Sequence, residues 1–364
     1  MVAINSVNPA QGGPADGQAR LAAYLESVAQ SWGLSTRRLP VDDGIFNLLV
    51  TADAKPGAEW VLLESHLDTV SAEGMTVPPF ALTDDQGMLR GRGACDTKGS
   101  GAAMLWALRT FAQNPARLRN AGVVFVVDEE VGMTGAKAFA TGVLRDLQPM
   151  RGIVVGEPTG LRPVVGHNGV LRWRSITRGQ AAHSSDPSKG RSAIAAMLGV
   201  VAALETRFIP LATATHPLTG HAAASINVIR GGHAVNIIPD YCEIRCDRRI
   251  VPGEDVTAVL AERDRALAGH AVEHDEVYVA PPLPPETSAA FHAWLSPALR
   301  GQGIDATGLG APYATDASHY AAAGAPVVVL GPGDILEAHT RTEGLARRDL
   351  HAAVSLYTAI LAMP

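Results

Sequence analysis

Residues 121–133 read AGVVFVVDEEVGM. Val123 to Val127 are consecutive apolar, strand-forming side chains, and they run straight into Asp128, Glu129 and Glu130. An apolar run without polar alternation reads as a strand buried on both faces, the style of a parallel-sheet core. Three carboxylates do not belong in such a core, because an unpaired buried charge is costly. The strand must therefore end by delivering its acids to an edge or a cleft. The next residues, TGAKAFATGVL (134–144), read as a helix, so the local unit is strand, acidic turn, helix.

Working outward, the same alternation repeats. Ala15–Trp32 reads as a helix with Leu21, Tyr24, Leu25 and Val28 on one face, and Gly33 ends it. GIFNLLVTA (44–52), WVLLESH (60–66) and RGIVVGEP (151–158) read as strands, and KGSGAAMLWALRTFAQN (98–114) as a buried helix. From Gly169 the style changes. VLRWRSITRG (170–179) alternates like a strand with one buried face. A helix (Ser192–Arg207), strands (Ala223–Arg230, Tyr241–Ile250), a helix (Glu254–Ala268) and a strand (Val272–Val279) follow. This β-α-β-β-α-β order is the ferredoxin-like pattern. APPLPPE (280–286) reads as a rigid linker, and APVVVLGPGD (325–334) returns to the buried-strand style.

The expected fold is α/β: a central mixed, largely parallel sheet flanked by helices, with an inserted α+β ferredoxin-like domain. Residues 1–168 and 280–364 form the catalytic domain, and 169–279 the insertion.

Bulk composition narrows the function. The chain has 364 residues, 47% of them hydrophobic and 18% charged, as in an ordinary globular protein. A net charge of −6 without a basic run gives no footprint for nucleic acid. The apolar helical run Ala193–Leu204 is shorter than the roughly 20 residues that span a bilayer, and the first residues show no signal peptide. Cys95, Cys242 and Cys246 have no zinc-ribbon spacing, which argues against a thiolate site or a disulfide scaffold. A cytoplasmic protein with no membrane or nucleic-acid partner is expected.

Chemistry gathers at strand ends. VLLESHLD places His66 and Asp68 there, GACD places Asp96 after a glycine-rich loop, VVFVVDEE places Glu129 and Glu130, and IVVGEP places Glu157. His339, in EAHT, follows the strand VVVLGPGD. Ligands of open α/β sheets bind beyond the carboxyl ends of the strands. Alone, each residue has a plain reading: a surface His–Asp pair, acids at a helix start, a glutamate before a proline. Together they suit two divalent ions held by imidazole and carboxylate, zinc or else cobalt or manganese. One carboxylate can bridge such a pair. Which of Glu129 and Glu130 ligates is not decided by spacing.

ESHLDTV, GRGACDTKG, DEEVGMTGA, GEPT, GQAAHSSDPSKGRSAI, NVIRGGHAVNIIPDYCEIRCDRRIVPGE and GPGDILEAHTRTE occur in this order. They resemble the motifs of the di-zinc aminoacylase family that contains acetylornithine deacetylase, succinyl-diaminopimelate desuccinylase and glutamate carboxypeptidase. The start, MVAINSVNP, resembles the end of that family's first helix and its following loop, so about one helical segment is expected to be missing.

The resemblance implies a zinc-exopeptidase-like fold and a role for each residue. His66 and Glu157 hold one metal, Glu130 and His339 the other, and Asp96 bridges them. Asp68 orients the His66 ring, and Glu129 is the general base. His183, on the insertion, reaches the partner subunit's site as an oxyanion donor, which requires a homodimer with lid closure. Arg249 binds the substrate carboxylate and Asn236 contacts substrate. The implied activity is hydrolysis of the amide bond of an N-acyl amino acid. A carboxypeptidase or dipeptidase on the same scaffold is the alternative, and a catalytically silent binding relative a more distant one.

Overall fold

The run at 120–126 is a strand near the middle of a large sheet, and the principal elements follow in this order. The chain opens with α1 (Gly17–Ser31), β1 (Ser35–Asp42), β2 (Ile45–Thr51), β3 (Trp60–His66), α2 (Lys98–Ala112), β4 (Asn120–Val126), α3 (Thr134–Thr141), β5 (Met150–Val155) and β6 (Val164–His167). It continues through β7 (Gly169–Arg178), α4 (Ala193–Ala203), β8 (Ala223–Gly231), β9 (Tyr241–Ile250), α5 (Val256–Ala266) and β10 (Glu273–Ala280). It closes with α6 (Pro285–Gly301), β11 (Leu309–Ala311), α7 (Ala317–Ala322), β12 (Val327–Val329) and α8 (Arg347–Ala362). This is a computed structural model, and it describes residues 1–42, 44–52 and 55–364.

Contacts divide the chain into two units. Unit 1 is Met1–Val165, Pro285–Leu309 and Thr315–Pro364; unit 2 is Gly166–Pro284 with Gly310–Ala314. Residues 310–314, read from sequence with the last part of the catalytic domain, cluster with unit 2.

Among the described residues the large sheet runs β1-β2-β4-β3-β5-β12-β6-β11. Its centre, β4-β3-β5-β12, is parallel; β1, β2 and the β12–β6 contact are antiparallel. The fold is therefore α/β with a mixed sheet flanked by helices. Every residue of β3 and β4 is buried, and each valine or phenylalanine so buried contributes about 1.5–3 kcal/mol. Parallel direction brings the carboxyl ends of β3, β4, β5 and β12 to one edge.

α1 buries Leu21 and Leu25, and Gly33, at φ +75°, closes it with its N–H on Gln30 O. Tyr24, expected on the buried face, is 46% exposed: at about 100° per residue it lies at the margin of the face centred on Leu21, Leu25 and Ala29. α2 is less buried than its apolar sequence suggests. Trp106 is 47% exposed, and the Arg109 guanidinium lies 4.8 Å from its ring and 5.0 Å from that of Trp32. The cation covers the two indoles from outside. The proline-rich segment is shorter than a linker, because Ala280 ends β10 and Pro285 already begins α6.

Unit 2 is α+β, its sheet ordered β8-β9-β7-β10 with all neighbours antiparallel. Ser192 caps α4 by accepting the Ala195 N–H, and Asp255 caps α5 through Thr257. Leu171, Trp173, Met197, Val200, Ile244 and Cys246 build its core. The opposite sheet face carries ion pairs such as Arg172–Asp247 and Arg174–Asp275. The helical run from Ala193 continues through a π turn to Leu211, 19 residues in all, past the Arg207 end read from sequence and past the twelve-residue apolar run Ala193–Leu204. By length and composition alone it is apolar enough to cross a membrane. One face of it packs in the unit's core through Met197, Val200, Leu204 and Phe208. The three cysteines are free and buried.

Candidate metal centre

Strand direction explains how distant residues meet in unit 1. His66 is the last residue of β3, Glu157 lies two residues past β5, and Glu129 and Glu130 lie just past β4. Asp96 sits in the loop before α2, and His339 lies in the segment after β12. His66, Asp96 and Glu157, all buried, each place one donor atom within 4.8 Å of the others. Asp96, Glu130 and His339 form a second such group, so Asp96 belongs to both. His66 Nε2 is 2.8 Å from Asp96 Oδ1, and His339 Nε2 is 3.2 Å from Asp96 Oδ2 and 3.1 Å from Glu130 Oε1. Glu129 is in neither group.

Asp68 departs from its expected task. The His66 ring is held through Nδ1 by the Asp68 main-chain carbonyl at 3.0 Å, while the carboxylate oxygen stands 3.7 Å away. The carboxylate is committed elsewhere. Its Oδ1 accepts the Glu129 N–H (3.0 Å), and its Oδ2 accepts the Glu130 N–H (3.2 Å) and Asn8 Nδ2 (2.8 Å). Two adjacent main-chain donors are available because Asp128 turns the chain at φ +66°, a left-handed conformation that aspartate tolerates better than most residues. Asn8 Nδ2 also reaches Asp128 Oδ1 (2.9 Å), and Thr134 Oγ1 donates to its Oδ2 (2.8 Å). Asp128 is thus a turn residue. Asn8, fully buried, was not singled out from sequence, and a lone asparagine near the start offers no signal there.

Electrostatics fit a cation site. Burial pushes Glu157 and Glu129 well above the ordinary carboxylate range, with further negative charge from Asp96 and Glu157 respectively. Burial also raises Glu130. Burial would raise Asp96 too, but hydrogen bonds from His339 and His66 hold it below. Burial opposes charge on His66, yet Asp96 leaves its ring well above 6.5. Hydrogen bonds to Asp96 and Glu130 lift His339 to about 10. His66 Nδ1 faces a carbonyl, so Nε2 can face a carboxylate only as a proton donor or across a cation. His339 presents the same situation between two carboxylates. Imidazole and carboxylate donors in two groups sharing one bridge are the set that takes a pair of divalent ions. Cys95 adds no thiolate, since its Sγ is turned to the Asp334 carbonyl at 3.5 Å.

Two further buried acids stand behind this edge. Glu64 and Asp316 are 1% and 0% exposed, and none of their carboxylate oxygens has a hydrogen-bond partner among the described residues. Burial raises both, Asp316 to about 8. Glu64 was legible as a polar residue inside an apolar strand; Asp316, in ATDAS, carried no such signal.

The remaining sequence candidates lie in unit 2. His183 is exposed, and its Nδ1 accepts the Ser185 N–H at 3.2 Å, so the neutral ring carries its proton on Nε2. Asn236 is exposed, and its main-chain carbonyl accepts the Ser184 N–H. Of the two neighbouring arginines, Arg248 is buried against Glu254 (2.6 Å). Arg249 instead lines a recess of about 530 Å³ with Arg172, Ser225, Asn227, Arg245 and Asp247, and its Nε donates to Asp247 Oδ1 at 2.8 Å.

With this geometry established, the decisive comparison is that residues 62–363 match the profile of one peptidase family. The chain belongs to Peptidase family M20/M25/M40. It is accordingly a hydrolase of amide or peptide bonds. Among M20 relatives, it is 31% identical over 337 residues to a probable carboxypeptidase of Aspergillus terreus (strain NIH 2624 / FGSC A1156), covering 88% of this chain and 74% of the relative. It is 30% identical over 379 residues to the acetylornithine deacetylase of Edwardsiella ictaluri (strain 93-146), covering 99% and 95%. A solved M20 family metallo-carboxypeptidase from Sulfolobus solfataricus has the same fold: TM-score 0.82, 15% identity, and coverage of 100% of this chain and 97% of the other.

Proposed function

We propose that this M20 hydrolase cleaves the amide bond of an N-acyl amino acid, in the manner of an acetylornithine deacetylase, using two divalent metal ions, zinc by preference. One observation carries the reading. Asp96 is shared by two donor groups that together use His66, Glu157, Glu130 and His339, while Glu129, adjacent in the chain to Glu130, belongs to neither. His66, Asp96 and Glu157 would hold one ion and Asp96, Glu130 and His339 the other. Bound there, the ions supply Lewis acidity and make a water proton easier to remove.

The chain's own residues do the rest. Glu129, raised by burial, takes the proton of the attacking water and returns it to the departing amine nitrogen. Asp68 fixes the main chain from which Glu129 projects. His183, with Nε2 protonated and free to donate, stabilises the oxyanion from the partner subunit. Arg249 pairs with the substrate carboxylate, and Asn236 contacts the substrate. A homodimer is supported by exposed apolar residues on unit 2, namely Ile194 and Leu198 on α4 and Ile229 on the edge strand β8.

The 31% match to a carboxypeptidase supports a second reading, removal of a C-terminal residue on the same centre. A panel of N-acetyl amino acids, N-succinyl amino acids and dipeptides, assayed with added zinc or cobalt, separates them. Turnover of N-acyl substrates alone supports the deacylase. Turnover of dipeptides alone supports the peptidase. Unaltered turnover after complete metal removal overturns both.

A further inference from the structure

Behind the donor residues lies a buried ion pair that touches the main chain of the shared ligand. Arg92 is 2% exposed and Glu343 0%, and Arg92 Nη1 lies 2.5 Å from Glu343 Oε2. A buried pair costs desolvation on both sides unless further hydrogen bonds satisfy it. Here the other carboxylate oxygen is occupied: Glu343 Oε1 accepts the N–H groups of Cys95 and Asp96, each at 3.1 Å. Arg92 Nη2 in turn donates to the Thr340 carbonyl at 3.3 Å, next to His339. One carboxylate and one guanidinium therefore tie the Asp96 backbone to the His339 segment, about 250 residues apart along the chain.

Resting on the two-metal reading above, we infer that Glu343, clamped by Arg92, is a positioning residue that sets occupancy of the ion held by Asp96, Glu130 and His339. The asymmetry follows from where the ligands sit. His66 and Glu157 are carried at the ends of buried strands, so the first ion depends on the clamp through Asp96 alone. The second depends on it through Asp96 and through the segment carrying His339, a half-exposed residue held at φ +61°. Partners behind metal ligands typically change affinity by about 10–100-fold when removed.

The test is a titration of the chelated, full-length protein with cobalt(II), read by visible absorption and by bound-metal analysis. His339→Ala identifies which binding step belongs to the second ion. Glu343→Ala is expected to weaken that step by about 10–100-fold and the other step by less than about tenfold. Glu343→Gln keeps one acceptor for the Asp96 N–H but turns its amide toward Arg92, so it falls between wild type and Glu343→Ala. It is also the variant to use if the alanine form does not fold. Equal weakening of both steps, or two unchanged steps with only a lower melting temperature, overturns the inference. A wild-type chain that takes up no cobalt overturns the two-metal reading itself.

Discussion

Asp68 Oδ1 accepts the main-chain N–H of Glu129 at 3.0 Å, across 61 residues of sequence. The adjacent Glu130 N–H reaches Oδ2 of the same group. Asp68 thus holds the backbone of the proposed base and of a proposed ligand together. Asp68→Ala leaves both donors without their acceptor, at about 1–3 kcal/mol each. Denaturant unfolding should show that loss. A shift of about 1 Å in Glu129 is worth about 10²-fold in turnover. Asp68→Asn, which keeps one carbonyl acceptor, should lose less of both. Unchanged kcat in Asp68→Ala would separate this contact from catalysis.

Glu129→Gln keeps the shape of the side chain and removes its basicity. It should bind the same amount of metal as wild type while kcat falls by about 10²–10⁴-fold. Bound-metal analysis beside steady-state kinetics checks this. A variant that loses metal together with activity would make Glu129 a ligand instead.

Metal uptake should release protons. In the chelated protein, despite burial, Asp96 raises His66 well above 6.5, and hydrogen bonds to Asp96 and Glu130 raise His339 to about 10, so the protonated form of each ring is favoured. A metal ion binds only the neutral ring, so affinity should weaken as pH falls. Calorimetry at pH 7 in two buffers of different ionisation enthalpy should report net proton release as the sites fill, from the histidine rings and from the buried Glu157 and Glu130 carboxyls. Release of none would mean that these rings do not ligate.

Asp316 gives the chelated protein a stability that falls with pH. Its folded-state value is about 8, against 3.8 for the free side chain, chiefly through burial. Between those values the native state keeps a proton that the unfolded chain has released. This stabilisation is complete below pH 4 and is lost as pH rises through about 8. Melting temperatures should decline from pH 5 to pH 8, and Asp316→Asn should decline less steeply and melt higher than wild type at pH 8. Identical slopes in the two proteins would count against it.

Mixing His183→Ala with Glu129→Gln should restore part of the activity that each lacks alone. A heterodimer with both lesions in one site leaves the other site whole. No recovery after verified subunit exchange would place His183 outside the partner's chemistry.

Much was legible before folding is considered. Apolar runs that end in acids mark strands whose carboxyl ends meet, because parallel strands share a direction. That pattern gathered His66, Asp68, Asp96, Glu129, Glu130, Glu157 and His339; the family resemblance singled out His66, Asp96, Glu130, Glu157 and His339 as ligands, and these are the residues that fall into two donor groups. α8 was not read, although Leu356, Tyr357, Ile360 and Leu361 carry helical spacing. β1 was missed because its burial is confined to Leu39 in a polar strand.

Local pattern by itself determined most of the central strands, the class of fold and the kinds of atoms offered to a metal, since these follow from hydrophobic period and side-chain chemistry. Only the tertiary structure decided which main-chain donors Asp68 satisfies, that Asn8 joins them, and that Arg92 and Glu343 clasp Asp96. Those contacts join residues 60 to 251 positions apart, and a buried hydrogen bond is specified by the packing that excludes water around it, which no short stretch of chain contains.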